Sequence, residues 1–111
     1  MLNISDTGVI KLTRGDTAKI SVGILSDNSD SEYAIKDTDK LTFTVKKKTK
    51  DKDYLLQKTA IGSTLIHIKP EDTNSMAFGK YVYDIQLDTS EGDVYTIIGP
   101  TTFELLTEVT W

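Results

Sequence analysis

The chain has 111 residues, of which 38% are hydrophobic, with no cysteine and a formal net charge of −4. That length suits one domain around one core, while the missing cysteines remove disulfides and thiolate metal sites, and the acidic balance is opposite to that of a nucleic-acid binder. No apolar run approaches the ~20 residues that a membrane helix needs, and Met1-Leu2-Asn3-Ile4-Ser5-Asp6 has neither the positive start nor the apolar stretch of a signal peptide, so the expectation is a chain made in the cytoplasm.

Taken in chain order, Val9 to Thr13 reads as a first short strand, closed by Arg14-Gly15-Asp16. That triplet is a cell-adhesion signature when it projects from a loop. Flanked by Thr13 and Thr17 between two strand candidates, it reads instead as a turn. Gly15 permits a tight reversal, Asp16 suits turn backbone bonding, and Arg14 is expected to pair with a carboxylate at the sheet edge. Ile20, Val22 and Ile24 then alternate with Ser21 and Gly23, the period-two signal of a strand with one buried face.

Ser26 to Ser31 is a polar loop with no core residue. Asp27, Asp30, Glu32 and Asp37 crowd this region and offer oxygen ligands for calcium, but the glycine-containing pattern of a strong calcium loop is absent. Leu41, Phe43 and Val45 alternate with Thr42, Thr44 and Lys46 as a further strand. The run Lys46 to Lys52 is basic in an acidic chain. It has no arginine and no interleaved aromatic to stack a base, and Lys50 to Asp53 reads as a solvated hairpin tip.

Tyr54 to Thr59 and Thr64 to Lys69 are shorter strand candidates. His67, the single histidine, lies between Ile66 and Ile68 and points away from their face. Alone it makes no metal cluster, and no serine or carboxylate stands at a spacing that suggests general-base work. Pro70 to Met76 is the one helical segment, about one turn long, with proline at the first position and Glu71-Asp72 at the positive end. Tyr81, Tyr83, Ile85 and Leu87 share one face of a strand, which places both tyrosines in a dry interior. Ser90 to Asp93 reads as a hairpin tip with Gly92 at positive φ. Val94 to Ile98 and Thr102 to Leu106 are two last strands, with Gly99-Pro100 stopping one before the other begins.

About eight short strands at regular spacing point to an all-β fold, an antiparallel β-sandwich over residues 1–111. The stretch from Ile66 to Leu87 is similar to the crossing between sheets in immunoglobulin variable domains, where a Pro-Glu-Asp-Thr-like turn precedes a tyrosine. In that corner the hydroxyl bonds back to the turn backbone, a role open to Tyr81 or Tyr83. The cysteine pair and central tryptophan of true immunoglobulin domains are missing, since Trp111 ends the chain. The expectation is therefore an immunoglobulin-like sandwich.

The phrases LTRGDT, LTFTVKK, IHIKPEDT, GKYVYDIQL and FELLTEVT, in that order from about Ile10 to Thr110, resemble a small β-sandwich module of tailed-phage and prophage baseplates and tails from Gram-positive hosts. Larger baseplate proteins carry such a module at the N-terminus. The resemblance implies a non-enzymatic structural component of the virion tail, with no catalytic residue, no metal and no cofactor to carry over. Its partners would be other virion proteins or further copies of itself, with neither nucleic acid nor membrane. In that pattern the Arg-Gly-Asp triplet recurs as strand-entry sequence.

Contacts are expected along exposed edge strands, Val9 to Thr13 or Thr102 to Glu108. Leu105 and Leu106 are adjacent, so one of them faces away from the core. With Val109 and Trp111, Leu106 makes a candidate apolar partner patch. The alternative reading is a carbohydrate-binding module for host cell-wall glycan, using exposed aromatics such as Tyr33 or Tyr54. A small hydrolase subunit is a third reading, and it lacks an acid–base constellation.

Overall fold

The computed structural model describes residues 2–4, 8–23 and 35–107. In chain order the elements are β1 (Leu2–Ile4), β2 (Ile10–Thr13), β3 (Ala18–Ser21), β4 (Lys40–Lys46), β5 (Leu56–Ile61), β6 (Leu65–Ile68), α1 (Pro70–Thr73), β7 (Gly79–Asp88) and β8 (Val94–Leu106). The chain is thus mostly β. The strands form a six-stranded sheet in the order β1-β2-β8-β7-β4-β5 and a two-stranded sheet of β3 and β6.

The alternation in β4 and β7 decides how they sit. Leu41, Phe43 and Val45 lie opposite Leu87, Ile85 and Tyr83 in an antiparallel register, and all of them are buried. Tyr81 is buried beside them, so the odd-numbered face of β7 from Tyr81 to Leu87 is dry. Phe43 packs against Tyr83 at 5.2 Å between ring centroids and meets Phe103 of β8 edge-on at 6.0 Å. Such tilted and T-shaped pairs suit the quadrupoles of the rings. Ala18, Ile20, Ile66 and Ile68 of the small sheet join the same core, together with Ile10, Leu12 and Leu105. Each face periodicity of two therefore feeds one shared interior.

Several details depart from the sequence expectations. Not every pair is antiparallel: β2 runs parallel to β8, with Ile10 opposite Phe103 and Leu12 opposite Leu105. No hairpin links these two strands, so no turn fixes their relative direction. The two strands expected at the C-terminal end are one, β8, which passes through Gly99 and Pro100. Thr101 pairs with Tyr83 and Ile98 with Ile85, three steps against two, so Gly99 and Pro100 ride on a bulge. A proline has no N–H to give a ladder, and at a bulge none is needed. A second shift follows directly, where Ile85 and Gln86 face Ile98 and Thr96.

The expected edges also move. β2 lies between β1 and β8, and the last residues of β8 lie between β2 and β7, so neither is an edge. The outer strands of the large sheet are β1 and β5. β5 begins two residues after the expected Tyr54 start. Tyr54 and Leu55 are exposed ahead of it, and Leu56 and Ala60 turn inward.

Pro70 to Thr73 forms the helical turn, four residues long, with Pro70 at its start. The Asp72 carboxylate accepts the backbone N–H of Lys69 at 2.8 Å, as an acidic side chain near a helix start does. The same carboxylate takes Lys58 Nζ of β5 at 2.9 Å, which ties the turn to the large sheet. The turn then tightens and stops, with the Met76 N–H bonded to the Thr73 carbonyl at 3.0 Å.

Candidate functional site

The Arg14-Gly15-Asp16 turn does not project. Asp16 N–H bonds to the Thr13 carbonyl at 3.1 Å, closing a four-residue reversal. Gly15 takes φ of 85°, as the third position of a type II turn requires. Its N–H donates to the Thr73 hydroxyl at 2.9 Å, and Thr73 is fully buried. Arg14 reaches the Met76 carbonyl at 3.2 Å and lays its guanidinium over the Phe78 ring at 4.1 Å. Its own N–H bonds to the Leu106 carbonyl at 3.0 Å. Over the Phe78 ring the guanidinium has a favourable cation–π geometry.

Next to this junction, Tyr81 donates its hydroxyl to the Ala77 carbonyl at 2.6 Å, four residues upstream. Of the two tyrosines, Tyr81 therefore makes the bond back to the turn backbone. Tyr83 instead donates to the Gly8 carbonyl, joining β7 to the residues that lead into β2. Burial pushes the Tyr83 phenol above its ordinary value. At Asp72, burial opposes the charge, but the Lys69 N–H, the Lys58 hydrogen bond and the charges of Lys58 and Lys69 outweigh it. The carboxyl is held below its ordinary value of 3.8.

A second feature lies on the outer face of the large sheet. The outward positions of β4, β5 and β7 carry Thr44, Gln57, Val82, Asp84 and Gln86. They line an open groove of about 320 Å³, together with Lys46, Thr49, Lys52 and Tyr54 of the β4–β5 hairpin and Pro100 of the β8 bulge. The basic run builds one end of it. Lys46 Nζ donates to the Asp51 carbonyl at 2.9 Å, the Asp51 carboxylate takes the Lys48 N–H at 3.1 Å, and Asp51 N–H bonds to the Lys48 carbonyl at 3.0 Å. The hairpin is thus a closed turn with exposed lysines, as expected. Its juxtaposition with the sheet face was not legible, because nothing in the sequence says which way a hairpin leans.

His67 is exposed on β6 opposite Lys19, on the face away from Ile66 and Ile68. Among the calcium candidates only Asp37 is described, exposed beside the turn into β4, while Asp27, Asp30 and Glu32 lie outside the described residues. Among the described residues no group of three or more His, Asp or Glu is placed to hold a metal ion. Sequence reasoning missed Asp39, which is fully buried and accepts the N–H groups of Lys36 at 2.9 Å and Ser90 at 2.8 Å. It pins the β7–β8 hairpin to the entry of β4. Of the predicted partner contacts, Leu106 is 37% exposed while Leu105 is buried. Val109 and Trp111 lie outside the described residues, as does Tyr33.

No family model, curated protein or solved structure matches this chain.

Proposed function

We propose that this chain is a non-enzymatic structural component of a phage or prophage tail or baseplate, acting through contacts with other virion proteins. One observation carries the reading. Four of the five phrases behind the baseplate resemblance meet at a single corner. LTRGDT supplies Arg14 and Gly15, IHIKPEDT supplies Thr73, whose hydroxyl takes the Gly15 N–H, FELLTEVT supplies the Leu106 carbonyl, which takes the Arg14 N–H, and GKYVYDIQL pairs its Gly79 with Leu105 of FELLTEVT. The phrases are widely separated in sequence, yet their residues depend on one another, so they describe one structural unit.

The strand order supports the immunoglobulin-like reading of that unit. In that reading, strands β8-β7-β4-β5 in one sheet and β3-β6 in the other would take the places of the G-F-C-C′ and B-E strands of a variable-type domain. A tyrosine bonded four residues back at the start of the F-equivalent strand fits the same scheme. The rigid body would present Leu106 on the outer face and the outer strand β5 to neighbours in the particle, where main-chain groups and an apolar contact give docking. The packed setting of Arg14-Gly15-Asp16 counts against adhesion through that triplet, because adhesion needs a projecting loop.

The test is mass spectrometry and antibody labelling of purified particles from a strain carrying the coding sequence, with parent chain and Leu106→Asp compared. Leu106 is on the outer face, so the variant is expected to fold as the parent does and to enter particles about tenfold less. Absence of the parent chain from purified tails would refute the reading, and so would normal incorporation of both Leu106→Asp and Trp111→Ala.

A further inference from the structure

We infer that the outer-face groove between the β4–β5 hairpin and the β8 bulge binds an anionic saccharide, a sugar bearing a carboxylate or a phosphate. The inference does not rest on the tail reading, and Leu106 is not among the residues that line the groove.

The volume, about 320 Å³, is at the lower end for small-ligand sites and leaves room for a sugar ring with its substituents. The chemistry of the lining narrows the class. Gln57 and Gln86 offer amide donors and acceptors, Thr44 offers a hydroxyl, and Asp84 offers a carboxylate that only accepts. A ligand rich in hydroxyls can satisfy this mixture. Tyr54, 55% exposed at the rim, presents a ring against which the apolar face of a sugar can lie. Lys46 and Lys52 add two positive charges against the one of Asp84, in a chain whose net charge is negative. A neutral sugar would leave the excess positive charge unanswered, and a bare anion would meet Asp84 without a hydroxyl to give it.

Other ligand classes fit less well. A nucleobase binder uses several aromatic platforms, and Tyr83 turns its ring into the core, leaving Tyr54 alone. An apolar ligand would find only Val82, Pro100 and the Tyr54 ring amid polar and charged groups. Part of the site is also held in place before any ligand arrives. Gln57 donates to the Thr44 hydroxyl at 3.1 Å, and Lys46 is fixed by the Asp51 carbonyl. Such preorganisation lowers the ordering cost of binding.

The experiment is a titration of the isotope-labelled chain, followed by amide shifts, with four probes: a galacturonate trisaccharide, a phosphodiester-linked glycosyl-glycerol oligomer, a neutral galactose trisaccharide and inorganic phosphate. At least one charged saccharide is expected to shift the amides of Thr44, Gln57, Asp84 and Gln86, about tenfold more tightly than the neutral one. The better of the two charged probes identifies whether carboxylate or phosphate is the natural group. Tyr54→Ala should weaken that binding about tenfold, and Lys52→Gln should erase the preference for charge over neutrality. Both side chains are exposed, so both variants should unfold at the parent's temperature. The inference is overturned if no saccharide shifts these amides, if inorganic phosphate binds as well as the saccharides, or if Tyr54→Ala binds like the parent.

Discussion

Asp72 shows how one side chain can hold two elements. Its carboxylate receives the Lys69 N–H at the start of α1 and the Lys58 ammonium from β5, and these contacts keep its pKa below 3.8. A carboxyl whose folded value is depressed stabilises the fold fully above its unfolded value. That contribution is lost as the pH falls through the folded value. Asp72→Asn is therefore expected to be less stable than the parent near neutrality, with the gap closing as pH drops below 3.8. Urea unfolding of both chains from neutral to acid pH measures this, and a gap independent of pH would show that the contribution is not ionic. Thr73, its neighbour, works without charge. Buried and small, it accepts the Gly15 N–H on its hydroxyl oxygen, so the Arg14-Gly15-Asp16 reversal is bonded to the helical turn by a residue that the sequence marks only as part of a helix.

At the scale of elements, a strand paired on both sides differs from one paired on one side. β4 and β7 have neighbours on both sides and bury alternate side chains along their length. The first half of β8 pairs with β7 alone, because β2 meets β8 only from Phe103 to Leu106, and its side chains from Val94 to Thr96 are exposed. Amides of Leu41 to Val45 are expected to exchange with solvent slowest, near the limit set by global unfolding, and those of Val94 to Ile98 much faster. Hydrogen exchange resolved by residue checks this, and equal protection in the two segments would contradict it. The same contrast explains what was legible. In β4 and β7, burial of one face imposes a strict period of two, and the residues could be placed inside or outside from the sequence. In β8 the pairing constraint is weaker, two extra residues are absorbed as bulges, and Gly99-Pro100 looked like a stop although the strand continues. The groove was hidden for a related reason. Its residues are the polar outward positions, which alternation marks only as not core.

At the scale of the whole molecule, the pairing of β2 with β8 joins the two ends of the described chain. Leu12 and Leu105 are partners in that parallel register, both buried, and separated by almost the full length of the sequence. No local pattern announces such a pair, because its cause lies in the shared core and not in any turn. Closing so long a loop costs chain entropy before contacts return it, so pairing within β4, β5 and β7, which are nearer in sequence, is favoured first. Leu12→Ala should therefore destabilise the fold by about 2–5 kcal/mol, as truncation in a packed core does. The loss is expected mainly as faster unfolding, with the folding rate changed little, as follows if the costly closure of the β2–β8 loop comes after the transition state. Stopped-flow folding and unfolding across a range of urea concentrations separates the two rates. If Leu12→Ala instead slowed folding by the full loss of stability, the first and last strands would already be paired at the transition state, and the order of assembly would have to be reversed.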